Sequence, residues 1–237
     1  MSFLYNFAQT QLPNFVPLFN QNFIKMKILL FGATGGTGNQ VLLQALEQGH
    51  IVTAIVRNPS KLKIQSDNLK VEQGDVLNIS SIEDAFANQD AVICCLGAPA
   101  NKAGVLRSEG TKNIIKVMGK ANINRFICQT SLGFDDSIDV LKCTSFLFKN
   151  IIVPFVLKAT FKEHHVQEDV IKQSCLNWTI VRPGNLTNGI KTEQYKYGFP
   201  YNDPTLKVKI SRADVADCML KQLTSTQYLQ KAIGISY

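Results

Sequence analysis

The segment Met26–Gly38, MKILLFGATGGTG, constrains this chain more than any other. An apolar run of strand type passes straight into a glycine-rich turn and then into a helix-forming stretch. That order brings backbone N–H groups and a helix N-terminus against an anion, an arrangement suited to a pyrophosphate. Gly32, Gly35 and Gly38 stand in GxxGxxG spacing. Gly32 permits a sharp exit from the strand, Gly35 or Gly36 lets the backbone approach phosphate oxygens, and Gly38 lets the helix pack closely on the sheet. Thr34 and Thr37 add hydroxyl donors. At the close of the next strand, Val56-Arg57-Asn58 puts a cation where an NAD-selective site places an acid. A guanidinium there can pair with a 2′-phosphate and stack on adenine, with Asn58 and Lys61 assisting. A surface arginine at a strand end is the plainer account of the same residue. The cofactor expected is NADP.

Strand and helix patterns alternate along the rest of the chain. Apolar runs predict strands over 27–31, 51–56, 69–72, 91–96, 125–129, 178–181 and 232–236. Helices are expected over 36–48, from Ser80 or Ser81 to Phe86, over 107–119 and 160–174, and over 212–223 behind Ser211 as N-cap. Asp135–Val140 reads as a loop. Phe146–Leu157 reads as the start of a helix or a cover over the site, bent or begun by Pro154. This alternation predicts an α/β fold, a Rossmann-type doubly wound parallel sheet in a single domain over 26–237, with a small substrate-side insert. Segments 134–160 and 184–204 follow the C-terminal ends of strands and are expected to shape the substrate side.

Composition narrows the function classes. The chain has 237 residues, 45% of them apolar and 18% charged, and a net charge of +7. Its basic residues are scattered rather than blocked, so the charge suits an anionic cofactor better than nucleic acid. No uninterrupted apolar stretch reaches the roughly 18 residues of a membrane span. Six cysteines without a CxxC pair, and three histidines, make no zinc pattern, and no metal site is expected. Free thiols fit a reducing, cytoplasmic setting. Residues 1–25 form an N-terminal extension without Lys or Arg before Lys25. They read equally as an arm packing on the domain or a partner subunit, or as an extension ahead of a start at Met26.

Further residues fall at the same ligand-facing edge. Asp75 can accept from an adenine amino group and Val76 can pack on its ring, while Gly97 leaves space for the cofactor. Thr130 and Ser131 follow the fifth strand. The Ser131 hydroxyl can serve a substrate carbonyl or the nicotinamide ribose, or simply tighten the turn at Leu132-Gly133. His164 can protonate or orient a reduced product. Its neighbour His165 points about 100° away on a helix, and Glu168 lies one turn on, able to orient His164 or to form a surface pair. Glu163-His164-His165 is equally compatible with a solvated helical face.

FGATGGTG, VRNP, GDV, CQTS and LNWTIVRPGNLTNG together resemble the atypical short-chain dehydrogenase/reductase family, in the branch of NAD(P)-binding NmrA-like proteins and the flavin reductase/biliverdin-IXβ reductase group. The resemblance runs from Met26 to Ile235. It implies that Gly32–Gly38 holds the pyrophosphate, Arg57 the NADP phosphate and Asp75-Val76 the adenine. It also implies that Leu96-Gly97 and Thr130-Ser131 line the ribose–nicotinamide side, that Arg182-Pro183-Gly184 closes over the nicotinamide, and that Ser211–Asp214 packs nearby. The flavin reductase group has a serine matching Ser131 and a histidine matching His164, but its second histidine finds Gly184 here. Ordinary short-chain members use a tyrosine with a lysine four residues later, and no tyrosine of this chain has that partner on the expected helix. A proton must then come from Ser131, His164, a tyrosine such as Tyr195 or Tyr197, or water. The expected activity is an NADPH-dependent oxidoreductase passing hydride to a flavin, quinone-like or other planar carbonyl acceptor, a class also suggested by Phe134, Phe155, Tyr195, Tyr197 and Phe199. The alternatives are a non-catalytic NADP(H) sensor acting through a protein partner, and epimerase- or isomerase-type chemistry. Monomer and homodimer stay open.

Overall fold

The strands form where the apolar runs stand. In the computed structural model, which describes residues 24–98 and 104–237, these are β1 (Lys27–Phe31), β2 (Ile51–Val56), β3 (Leu69–Gln73), β4 (Ala91–Cys94), β5 (Arg125–Gln129), β6 (Asn177–Pro183) and a late strand, Lys231–Ser236. Three short strands intervene: β7 (Asn185–Thr187), β8 (Lys196–Tyr197) and β9 (Lys209–Ser211), so the late strand is β10. The main sheet runs β3-β2-β1-β4-β5-β6-β10-β8, parallel throughout except for β8, and β7 pairs with β9 separately. The order reverses between β1 and β4, which makes their C-terminal ends the crevice where such sheets take ligands.

Helices cover both faces, which explains why β4, and β1 from Ile28 onward, are apolar at every position rather than at alternate ones. Ile28 and Leu30 face α1 (Gly36–Glu47) and α4 (Arg212–Lys221). Leu29 and Phe31 face the opposite layer, where α2 (Leu106–Lys120) supplies Ile114, Val117 and Met118 and α3 (Lys158–Lys172) supplies Ile171. This is the Rossmann-type α/β sheet that the sequence predicts.

Two expectations need correction. The helix expected up to Phe86 is two tight turns, Ile79–Ser81 and Glu83–Phe86. Buried Ile82 between them holds φ −125°, outside helical geometry. The Ser81 hydroxyl donates to the carbonyls of Asp75 and Asn78 and accepts from the Asp75 amide, so it ties the 74–76 turn instead of capping a helix. Asp135–Cys143 is a tight helical segment, not a loop, because Val140 packs beside Leu206 and Val208 and Leu141 is buried with it. The helix start expected over Phe146–Leu157 is present: Phe148–Leu157 forms a wide π-type helix that runs on into α3, with Pro154 inside it rather than at its beginning. The expectation for residues 1–25 lies outside the described residues, apart from Ile24 and Lys25.

Behind the crevice lies a buried ionic knot. Arg182 on β6 is fully buried and donates to Glu168 of α3 through Nε at 2.8 Å and Nη2 at 2.5 Å. Thr130 Oγ1 donates to the same carboxylate at 2.8 Å, and Lys172 Nζ lies 3.0 Å away. Asp136 and the Tyr201 hydroxyl meet the other end of the guanidinium. Burial pushes the Glu168 carboxyl up, but Arg182, Thr130 and Lys172 outweigh it and hold its pKa below the ordinary value. Glu168 therefore neither orients His164 nor sits on the surface. Glu168→Ala should destabilise the protein by about 3–5 kcal/mol at neutral pH, because it strands a buried guanidinium. A depressed carboxylate pKa stabilises the fold above its unfolded value near about 4.3 and loses that contribution as pH falls through the folded value. Urea unfolding should accordingly show the gap between wild type and variant closing in acid; a gap independent of pH would contradict this assignment.

Candidate functional site

The glycine turn is built by close approach. Gly32 sits at φ +86°, and a Cβ there would fall 2.3 Å from the Cys95 carbonyl oxygen. A Cβ at Gly38 would fall 2.1 Å from the carbonyl oxygen of Gly32 itself. Gly38 thus clears the turn's own backbone as well as closing the helix on the sheet. The Gly35 amide donates to that carbonyl at 2.9 Å. Gly35 is the N-cap of α1, it offers no side chain to cap the helix, and the first turn holds no acid. The leading amides of α1 are left for an anion to satisfy. Thr34, Gly35, Gly36 and Thr37 all border a cavity of about 720 Å³ at the C-terminal edge of the sheet. An uncapped helix start, beside glycines whose missing Cβ atoms leave room, fits a dinucleotide diphosphate.

Charge around the cavity agrees with that fit. Arg57, Arg107 and Arg212 line it against a single acid, Asp75. Arg57 is exposed at the end of β2, and its guanidinium makes no hydrogen bond or ion pair among the described residues. Asn58 and Lys61 do not line the cavity; Asn58 Oδ1 instead accepts from the Ser60 amide and hydroxyl. Asp75 Oδ1 accepts from the Leu77 amide at 3.0 Å, leaving Oδ2 available. Val76 borders the cavity but also packs on Gly110 of α2. Arg212, at the start of α4, lies across the glycine turn: a Cβ on Gly36 would fall 2.6 Å from its Cδ. Its Nη1 donates to Asn188 Oδ1 at 2.6 Å.

The other end of the cavity is lined by Leu96, Gly97, Gln129, Thr130, Ser131, Thr160, His164 and Pro183. A Cβ on Gly97 would meet nothing within 4 Å. Thr130 is buried with its hydroxyl committed to Glu168, so it borders the site without offering a free donor. Ser131 Oγ reaches only the Leu132 carbonyl, at 3.1 Å. Gln129 Oε1 and Thr160 Oγ1 are buried polar atoms with no partner, the kind of orphan that a bound ligand satisfies. His164 is buried, stacked 6.1 Å from Phe134, with Nδ1 2.9 Å from Gln167 Oε1. Gln167 donates its amide to Thr111 at 3.0 Å, which assigns the proton to Nδ1 and leaves Nε2 as an acceptor. Burial, helped by the positive charge of Arg107, lowers the His164 pKa to about 4. His165 points outward between Asp135 and Asp169, so only one histidine of the pair enters the site.

The aromatic pocket expected from sequence does not assemble. Among Phe134, Phe155, Tyr195, Tyr197 and Phe199, none lines this cavity; Phe161 does. Phe134 is buried behind His164, and Phe155 is 81% exposed. Tyr195 donates to Asp217 at 2.5 Å, and burial pushes its pKa up, which removes it as a proton donor. Arg182 turns away into the ionic knot, while Pro183 and Gly184 remain at the cavity. From the two segments expected on the substrate side, Leu157 and Thr160, and Gly184 to Leu186, reach it. Arg107 and Asn188 escaped sequence reasoning, whereas Arg212 and Asp214 fall in the Ser211–Asp214 segment that the resemblance placed nearby. Arg107 is held by Glu163 through both its amide and Nη1, and Arg212 and Asn188 stand at the turn. Asp214 accepts from the amides of Thr192 and Glu193 and from Tyr237, anchoring the 184–204 segment. A histidine NMR titration should show His164 neutral from pH 6 to 8 and charging near pH 4; a midpoint near 6.5 would contradict the buried neutral tautomer.

Residues 32–226 match a family described as NAD(P)H-binding. The chain is 27% identical over 209 residues to the uncharacterized protein YwnB of Bacillus subtilis, covering 86% of this chain and 94% of that one. It is also 27% identical over 224 residues to chloroplastic TIC 62 of Arabidopsis thaliana, covering 82% of this chain but 33% of TIC 62, so it spans about a third of that relative. Among solved structures, ChuY of Escherichia coli O157:H7, an anaerobillin reductase, superimposes with a TM-score of 0.70 at 25% identity, covering 89% and 96% of the two chains. A putative epimerase from Bacteroides thetaiotaomicron gives 0.72 at 28%, covering 90% and 97%. The chain belongs to the NAD(P)H-binding family, within the Rossmann-fold superfamily related to short-chain dehydrogenase, epimerase and flavin-reductase-like oxidoreductases.

Proposed function

We propose that the chain is an NADPH-dependent reductase acting on a flat acceptor such as a flavin, a quinone or another conjugated carbonyl compound. The observation that carries this reading is the uncapped start of α1 facing a cavity whose rim holds the unpaired Arg57. The Gly36 and Thr37 amides bind the diphosphate, Arg57 pairs with the 2′-phosphate, and Asp75 Oδ2 accepts from the adenine amino group. Arg212 supplies a second positive charge beside the glycine turn. NADPH, when bound, supplies hydride. Pro183, Leu96 and Phe161 present apolar surface that keeps water off the reacting end. Neutral His164 orients an N–H or O–H of the acceptor through Nε2. With no charged acid at hand, a proton for the product passes through the Ser131 hydroxyl or water, a modest demand for acceptors that take hydride without prior protonation.

That same lack of an acid favours a second reading, a binding protein that senses NADP(H) without turnover. A relative bears on it: the chain is 32% identical over 106 residues to Ycf39 of Synechocystis, a photosystem II assembly factor, covering 43% of this chain and 32% of Ycf39. Steady NADPH oxidation with FMN or a benzoquinone supports the reductase, and tight NADPH binding with no oxidation by any such acceptor supports the sensor.

The cationic roles separate with fragment ligands. A charge-assisted contact is worth about 1.5–3 kcal/mol, so its loss weakens binding by about 10- to 100-fold. Arg57→Glu should weaken 2′-AMP and NADPH by that factor or more while sparing NADH and ADP. Arg212→Gln should weaken ADP and spare 2′-AMP. Calorimetry giving equal losses on both ligands for either variant would discredit that residue's assignment.

A further inference from the structure

A helical segment rich in apolar side chains that buries none of them is the main unexplained feature of the surface. Phe148–Leu157 contains no buried residue. Phe146 and Phe155 are 80% and 81% exposed, and Leu147, Ile151 and Val156 are exposed beside them. Apolar patches of this kind mark interaction sites. The charge pattern is equally one-sided. From residue 140 to residue 162 the chain carries Lys142, Lys149, Lys158 and Lys162 and no Asp or Glu. Lys142 pairs with Asp139, whereas Lys149, Lys158 and Lys162 are exposed and make no ion pair among the described residues.

We propose that this face docks on the surface of an anionic lipid bilayer. Its phenylalanine, leucine and isoleucine side chains enter the boundary between headgroups and acyl chains, and its lysines meet lipid phosphates. Charge complementarity selects this occupant. A second copy of the chain would set lysine against lysine. Residues 1–24 of the chain carry no acid that could meet them. No described helix is long and apolar enough to cross a membrane, so the contact is peripheral. The wide helix also contains Pro154, and its exposed face is continuous with the side chains that border the cavity, since Leu157, Thr160 and Phe161 line it. Docking would therefore bring the cavity to the interface, where a lipid-soluble acceptor is concentrated. That consequence rests on the reductase reading, but the docking does not.

The test is co-sedimentation with phosphatidylcholine vesicles, with and without phosphatidylglycerol. Wild type is expected to sediment with the mixed vesicles and to be released by high salt, and to stay largely in solution with phosphatidylcholine alone. The pair Phe146→Asp and Phe155→Asp should lower the partition coefficient by about tenfold or more. Because both side chains are four-fifths exposed, the thermal midpoint should be unchanged. A charge-reversed protein, Lys149→Glu with Lys158→Glu, should lose anionic-vesicle binding to a similar degree. Wild type remaining in solution with both vesicle types would overturn the proposal, as would equal sedimentation with both, or variants that bind like wild type. Conversion of a wild-type dimer to a monomer by the phenylalanine substitutions, seen in sedimentation velocity, would also overturn it and assign the face to a subunit interface.

Discussion

The contact on which the rest depends is made by one carbonyl. The oxygen of Gly32 accepts from the Gly35 amide and occupies the space where a side chain at residue 38 would stand. On its other side, Gly32 lies so close to the Cys95 carbonyl that a Cβ is excluded there too. Two missing side chains thus let β1, β4 and α1 converge within van der Waals distance. Their convergence aims the open end of α1 at the gap between β1 and β4, where the strand order reverses. A bulkier residue at either position would move the helix start, and the open amides of its first turn, away from the crevice.

The walls of the crevice are held by polar contacts made behind it, and Thr130, Arg107 and Arg212 take part in or are set by them while also lining it. Arg182 and Glu168 fasten β6 to α3, and Thr130 joins them from the end of β5. Asp214 gathers Thr192, Glu193, Ser211 and Tyr237 at the start of α4, which sets the 184–204 segment and Arg212 in place together. Arg107 and Glu163 tie α2 to α3 and place a positive charge beside His164. Such buried pairs are weak contributors to net stability but costly to break, so they fix geometry more than they deepen the fold.

The strands and the glycine turn were legible because their information is local. Apolar runs at Lys27–Phe31 or Arg125–Gln129 and glycines at 32, 35 and 38 state their own conformation. What failed to show was tertiary. Ser81 looks like a helix cap until its hydroxyl is seen to bind the carbonyls of Asp75 and Asn78. Thr130 looks like a cofactor donor until Glu168 claims its hydroxyl. The tyrosines at 195 and 197 are near the substrate segments in sequence, yet β8 carries them to the far edge of the sheet. Arg212 lies far along the chain from Gly36 and reaches it only because α1 and α4 share one face.

The proposed function rests on free amides at the start of α1 holding a diphosphate. Backbone NMR of the protein with ADP tests it without turnover or a known acceptor. The predicted result is large amide shifts at Gly36 and Thr37, saturating together with the binding isotherm. Shifts confined to other parts of the cavity, with those two amides unmoved at saturation, would contradict it.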